Sequence, residues 1–287
     1  DPRMDMAARA LQGTSREGWQ ACLELEFERR GAKSVLAARR HDGPLVVQKS
    51  LFPEGEGICH AIVVHPPAGI AGGDQLSLAV RVAQNAHAVL ATPGAGKWYR
   101  SSGSWARQHI SFNAGSGAAL EWLPQESILY DGSLAQLRTD VHLHPDARYL
   151  GWDIVCFGRG AAGEGMTLGH CRTRTRVDIA GRPVFMENGD IAAASAQCRS
   201  PAALRGHTVS GTLLAVAAQC DKALLAACRE HQPRRGEAAV TLLPGILVAR
   251  YLGDSSESAK HYFMQLRRVL RPAIMACAAS DLRIWST

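Results

Sequence analysis

Apolar and polar residues alternate through most of this chain, and period two is the pattern of a half-buried strand, not of a helix. Trp19, Ala21, Leu23, Leu25 and Phe27 alternate with Gln20, Cys22, Glu24, Glu26 and Glu28, which reads as a strand with one apolar and one strongly acidic face. Val35–Arg39 and Leu45–Gln48 are expected to pair as a hairpin across His41-Asp42-Gly43-Pro44. Further strands are expected at Ile58–His65, Gln75–Val82, Ala86–Thr92, Trp105–Phe112, Ala118–Leu123, Ser127–Tyr130 and Leu134–Leu143. Tyr149–Phe157, Met166–Ile179 and Val184–Asn188 follow. Turn signals recur roughly every 8–12 residues, the spacing of an antiparallel all-β body. No strict repeat is visible, so a regular solenoid or propeller is not expected.

The texture changes near residue 205. A strand at His207–Ala218 leads into a short helix, Asp221–Glu230, with Asp221 as its N-cap and Pro233 and Gly236 closing the segment. After a strand at Ala238–Leu252, Asp254 and Glu257 have capping-box spacing. Tyr262, Phe263, Leu266, Val269 and Leu270 form the apolar stripe of the helix Ser255–Leu270, which Arg271-Pro272 is expected to stop. The expected fold is mainly β: layered antiparallel or mixed sheets with two α-helices near the C-terminus. A flexible segment is expected at 1–18 and a single domain at 19–287, with a β-rich body over about 19–205 and an α/β part over about 206–287.

Composition narrows the function. Hydrophobic residues make up 46% and charged residues 20%, so the chain is globular and not disordered. The net charge of +6 comes without a concentrated basic block, which argues against nucleic acid as a partner. The first nineteen residues carry no apolar signal sequence, and Leu213–Ala218 and Ala238–Ala249 are too short to span a membrane. Eight scattered cysteines without a CxxC pair suit reduced, buried thiols in a cytoplasmic protein.

Catalytic patterns are sought and not found. The segment Ala91-Thr92-Pro93-Gly94-Ala95-Gly96-Lys97-Trp98 approaches a phosphate loop, but Ala91 replaces the first glycine and Trp98 the magnesium-binding hydroxyl. His142 and His144 share one strand face, as do Cys59 and His65, yet two ligands do not make a zinc or nickel site. Arg172, Arg174 and Arg176 lie on one strand face, either as a solvated edge that discourages aggregation or as a docking surface for an acidic protein.

Four segments, taken in order, resemble the family of the urease accessory protein UreD, also called UreH. They are His65-Pro66-Pro67-Ala68-Gly69-Ile70-Ala71-Gly72-Gly73-Asp74, Thr92-Pro93-Gly94-Ala95-Gly96-Lys97-Trp98-Tyr99-Arg100-Ser101, Leu120-Glu121-Trp122-Leu123-Pro124-Gln125-Glu126, and the end from Leu270-Arg271-Pro272 to Arg283-Ile284-Trp285-Ser286-Thr287. Asp131-Gly132, Cys156-Phe157-Gly158-Arg159 and Glu164 fall between them. The resemblance implies a non-catalytic scaffold that joins UreF, and through it the GTPase UreG, on apo-urease and assists nickel into the urease active site. It implies no permanently bound cofactor, only nickel in transit.

Candidates for a nickel path are Asp74, Glu126, Asp131, Glu164, His142 and His144, since carboxylates in a β-core require partners or water. Candidates for partner contact are Arg172, Arg174, Arg176, Tyr262, Phe263, Arg267, Arg283 and Trp285, with Tyr251–Thr287 expected to carry much of the UreF-facing surface. The alternatives are a β-rich enzyme using Asp74, Glu126 and Asp131 in acid–base chemistry, or a nickel store.

Overall fold

The alternation resolves into nineteen strands and three α-helices in the computed structural model, which describes residues 18–67 and 69–285. The strands begin with β1 (Gln20–Arg30), β2 (Lys33–Asp42), β3 (Val46–Val47), β4 (Cys59–Val64), β5 (Gly69–Ile70), β6 (Gln75–Val82) and β7 (His87–Ala91). Next come β8 (Gly96–Trp98), β9 (Ala106–Ala114), β10 (Ala119–Leu123), β11 (Ser127–Leu129), β12 (Leu134–Leu143) and β13 (Arg148–Arg159). The last are β14 (Glu164–Gly165), β15 (His170–Ile179), β16 (Arg182–Ala192), β17 (Val209–Val216), β18 (Glu237–Leu243) and β19 (Ile246–Gly253). The helices are α1 (Ala196–Arg199), α2 (Lys222–Arg229) and α3 (Ser256–Met275). The mainly β class with two helices near the C-terminus is the one observed, with the single-turn α1 in addition. The segment expected to be flexible, 1–18, lies outside the described residues except for Gly18.

From β4 to β15 the chain winds instead of zigzagging. Each turn lays one strand in a large mixed sheet, a short strand at a corner, and a long strand in a seven-stranded sheet: β4-β5-β6, β7-β8-β9, β10-β11-β12, then β13 to β15. Successive turns pair in parallel in all three places. This corrects the expectation that no regular solenoid is present: about four turns stack here. The repeat of roughly thirty residues escapes a sequence search because the turns share shape and not side chains. What recurs is a small residue at one bend. Ala86, Ala118 and Ala147 are buried one above another, and each N–H donates to the carbonyl three residues back (Ala83, Gly115 and His144) at 3.0–3.1 Å. A larger side chain has no room there. Ala118→Leu is expected to lower stability by about 1–3 kcal/mol through overpacking, measured by urea denaturation, whereas a neutral result would show that the bend can spread.

The parallel strands imitate an antiparallel pattern because the seven-stranded sheet, in the order β16-β15-β12-β9-β6-β1-β2, has its outward side chains in solvent. Its inner face packs against the second sheet, whose main order is β18-β19-β17-β13-β10-β7-β4-β3. Phe27, Phe112, Trp122 and Tyr149 fill the space between them. The second sheet's other face carries α2 and α3, with Trp152, Leu213, Phe263 and Leu266 between the layers. Two sheets and a helical layer result.

Local expectations are corrected in several places. The hairpin is formed by β1 and β2 around Gly31 at φ +59°, while β3 pairs with β4 in the other sheet, so residues 35–39 and 45–48 do not pair. A left-handed turn residue favours glycine, and Gly31 supplies the tighter connection. Helix α3 is capped by the hydroxyl of Ser255, which accepts the Ser258 N–H at 3.1 Å, and not by Asp254. Asp254 instead accepts from the Thr208 N–H and pairs with His207. The helix passes through Pro272 to Met275, held by the buried Arg271, Ile274 and Met275, and ends where Ala276 turns left-handed at φ +56°. Asp221 does cap α2, accepting from the Leu224 N–H at 2.8 Å.

Candidate functional site

Between the sheets the packing changes character along the strands. One inner row reads Val80, Phe112, Val141, Val177 and Phe185 across neighbouring strands and is dry. Two residues further along the strands the row becomes Leu78, Ile110, Thr139, Thr175 and Glu187. Hydroxyls and a carboxylate thus replace methyl groups in the later turns. On the facing sheet, Asp153 of β13, Thr212 of β17 and Arg250 of β19 lie side by side. A cavity of about 1000 Å³ opens where these polar groups meet, bounded also by His65, Lys97 and Gln125 at the solenoid corner.

Glu187 bridges the two sheets across this space. It accepts from Thr212 Oγ1 at 3.1 Å and from Arg250 Nε and Nη2 at 3.0 and 2.7 Å. Among the described residues, no cation pairs with Asp153 in this way. Burial, with the negative charge of Glu187 second, pushes its carboxyl up to about 6. His65 at the other side of the cavity is driven the opposite way by burial, its neutral form being favoured, against a weaker pull from the Asp74 charge. Asp190 and Glu237 also line the cavity, where three groups stand out: one carboxylate fixed by arginine, one that can take or release a proton near neutrality, and an imidazole whose neutral form burial favours. Such a set can hand on a cation or a proton, because none of the three is locked into a closed shell. Among the described residues, no three or more of His, Cys, Asp and Glu gather as a metal-binding group.

The sequence candidates are distributed differently, and the cavity wall includes none of the six. Asp74 is buried and accepts the N–H groups of Trp19 and Ala71, both at 2.8 Å. Glu126 accepts from Ser256 Oγ at 3.2 Å, tying the solenoid corner to the start of α3. Asp131 closes a turn: the Leu168 N–H first, then the Thr167 hydroxyl and N–H, hold its carboxyl down to about 2. Glu164 pairs with Arg159, His142 with Asp178 at 3.1 Å, and His144 with Asp146. The motif segments nonetheless share a place. Ile70, Trp98, Leu129 and Phe157 stack in register at the solenoid corner, and a Cβ on Gly69 would collide with the Tyr99 ring.

Asp153 and Glu187 carry the site and were not singled out from sequence. A signal exists in hindsight: Asp153 is a lone acid in the apolar run Tyr149–Phe157. The same holds for Glu121, fully buried on β10 in Ala-Leu-Glu-Trp-Leu. It meets the equally buried Arg267 and Arg271 of α3, with Nε–Oε distances of 2.9 and 2.8 Å, and His87 at 3.0 Å. Arg267 Nη2 lies 2.9 Å from the same carboxylate at an angle that makes it an ion-pair contact only. Arg271 continues to Glu54, which pairs with His60 at 2.7 Å.

Of the partner-contact candidates, Tyr262, Phe263 and Arg267 are buried inside the chain's own core. Trp285 lies over Trp152 at 6.0 Å between ring centres and donates to the Thr92 carbonyl at 3.1 Å. Leu282 is buried, so the tail folds back on the body. The Arg283 side chain lies outside what is described. The solvent-facing part of α3 is a groove of about 520 Å³ with Arg234, Arg235, Lys260, His261 and Arg268 on its walls. Arg172, Arg174 and Arg176 are not on an edge, since β15 is flanked by β12 and β16.

The chain is thus a mainly β protein in which a β-solenoid of about four turns packs against further strands and a helical layer around a polar cavity. The profile of the UreD urease accessory protein family matches residues 20–286. The urease accessory protein UreD of Azoarcus sp. strain BH72 is 51% identical over 279 residues, covering 97% of this chain and 98% of that one. The UreD of Dechloromonas aromatica strain RCB is 48% identical over 273 residues (94% and 95% covered), and that of Methylobacillus flagellatus 45% over 271 (94% and 95%). The chain belongs to the UreD family of urease accessory proteins. It is an accessory factor in urease maturation and not an enzyme, which disposes of the acid–base alternative for Asp74, Glu126 and Asp131.

Proposed function

We propose that this chain is a cytoplasmic scaffold that joins UreF, and through it UreG, on apo-urease, and that nickel crosses its β-body through the interior cavity. The observation that supports this best is the cavity itself, where Asp153 and Glu187 face each other within a wall that mixes apolar side chains with polar ones such as Gln108, Thr139, Thr175 and Asn188. Oxygen and imidazole donors that are not arranged as a closed site let a borderline cation exchange, which a conduit requires and a store does not. Asp74 and Glu126 act at its margin: Asp74 through its charge on His65, and Glu126 by fixing the corner beside Gln125. UreF contact falls to the outward residues of α3 and the groove beside it, with Lys260 and Arg268 in place of the buried Tyr262, Phe263 and Arg267.

The test is co-purification of the full chain with UreF, UreG and apo-urease, followed by nickel loading of the assembled complex. The expected result is a complex in which urease gains activity only when this chain is present. Failure to co-purify removes the scaffold reading, and tight stoichiometric nickel binding by the isolated chain replaces the conduit with a store.

A further inference from the structure

Between β16 and β17 the chain leaves the seven-stranded sheet and crosses to the second sheet, and residues 193–207 make that crossing. The cavity runs across both sheets. His65 bounds it just past β4, near one end of the second sheet's order. At the other end lie β16 and β18, the terminal strands of the two sheets. There the crossing segment forms the wall, through Gln197, Pro201, Ala202, Ala203, Leu204 and Arg205.

The segment is tied to itself and hardly to the body. Among the described residues, every hydrogen bond of the backbone from Ser195 to His207 closes within residues 192–207. The Leu204 N–H donates to the Gln197 carbonyl at 3.2 Å, that of Arg205 to Ser200 at 3.1 Å, and that of Gly206 to Cys198 at 2.7 Å. Helix α1, inside it, buries no residue. Leu204 is the one buried side chain of the segment, and it inserts into the core between the sheets. One exposed ion pair, Arg205 with Glu237, fastens it to the start of β18. Its two ends are left-handed: Ala194 at φ +56°, then Arg205 at +53° and Gly206 at +86°. Residues with a Cβ enter that region at a cost and stay only where their surroundings hold them.

We infer that residues 195–205 are a lid on this end of the cavity, swinging as one body about Ala194 and Gly206, plugged by Leu204 and latched by Arg205 on Glu237. A loop that satisfies its own hydrogen bonds opens without losing them, so opening gives up one buried leucine, one exposed ion pair and the strain at the hinges. Opening also releases Glu237 from Arg205. The mouth therefore gains a free carboxylate, beside Asp190, at the moment it admits solvent, and a cation is the class of ligand such a mouth favours. The motion rests on the fold alone, and what passes the lid rests on the conduit proposed above.

The experiment uses the full chain carrying Ser210→Cys, a small residue of the cavity wall on β17. The rate at which a methanethiosulfonate reagent modifies that position is read by mass spectrometry of its peptide, which separates it from the native cysteines. An exposed ion pair shifts an equilibrium by at most about fivefold. Glu237→Arg is therefore expected to speed modification about three- to fivefold, and Arg205→Glu added to it to restore the rate to within about twofold, both at an unchanged melting temperature. Leu204→Ala should speed it about tenfold or more. Hydrogen exchange of the amides at 197–206 should rise in the same variants as one block. Equal rates in all variants, no rescue by the charge swap, or amides that exchange one by one would overturn the lid. In the assembled complex at limiting nickel, Glu237→Arg should change urease activation about twofold or more and the swap should reverse it. Faster modification with unchanged activation overturns the lid's part in metal passage and leaves its motion standing, whereas a wild-type complex that fails to activate urease removes the conduit reading itself.

Discussion

Glu121→Ala is expected to lower the melting temperature of the isolated chain by roughly 10 °C. Arg267 and Arg271 are fully buried, and Glu121 is the carboxylate they share. Removing one member of a buried ionic group leaves the others charged and unpaired in a low dielectric, which costs about 3–5 kcal/mol. In a protein of this size each kcal/mol corresponds to roughly 2–4 °C. The group is weak evidence for net stability all the same. Replacing all three by apolar residues (Glu121→Leu, Arg267→Met and Arg271→Met) should recover much of the loss, since the desolvation cost disappears with the charges. Calorimetry of the single and triple variants decides: equal losses would mean that the side chains act by packing and not by charge.

The same cluster gives an acid limit. Burial acts to raise both carboxyls, but Arg267, His87 and Arg271 outweigh it at Glu121, and His60 and Arg271 do so at Glu54, which is held down to about 2 from its ordinary 4.5. A carboxyl whose folded value is depressed contributes stability that is complete above its unfolded value and is lost as pH falls toward the folded one. The contribution from Glu54 therefore drains between about pH 4.5 and 2, and that from Glu121 persists lower still. Since both pin α3 and the following turn to the solenoid, far-UV circular dichroism of a Glu54→Gln variant should show weaker dependence of stability on pH between about 4.5 and 2 than the wild type.

Much of this architecture was legible in the sequence because alternation reports burial directly. Strands β1, β6, β9 and β12 lie close to where the pattern put them. The winding was not legible. Whether two neighbouring strands run parallel or antiparallel depends on which way the connection turns, and the solenoid bends share only a buried alanine. Helix α3 outran Pro272 because burial of Arg271 and Ile274 on its inner face outweighs a proline's local preference to stop. The site was hidden for a different reason. Asp74, Asp131 and Glu164 stand out in glycine-rich motifs, and such motifs make turns, where a carboxylate's usual task is to accept backbone N–H groups. Asp153 and Glu187 sit in regular strands 34 residues apart in number, on opposite sheets, and only the fold brings them to one cavity.

Asp153→Asn should make the chain more stable and the assembled complex less able to activate urease. The Asp153 carboxyl has an ordinary value of 3.8 and is pushed up to about 6, by burial first and by the Glu187 charge second. A raised folded value means that its contribution to stability is complete below about pH 3.8 and is lost as pH rises through about 6. At pH 7.5 the wild type therefore holds a destabilised carboxylate, worth about 1–3 kcal/mol. Asparagine, of the same shape and without charge, removes that cost, so variant and wild type should converge near pH 3.5 and separate above pH 6 in denaturant titrations. In the complex with UreF, UreG and apo-urease the expectation runs the other way. Without the titrating carboxylate, the nearest carboxylate left to nickel is Glu187, already held by Arg250 and Thr212. Activation should fall at least tenfold while co-purification is unchanged, and Glu187→Gln combined with Asp153→Asn should fall further. A gain in stability together with a loss of activation marks a residue retained for transfer and not for folding. Full activation by the Asp153→Asn complex would show that nickel does not pass this carboxylate.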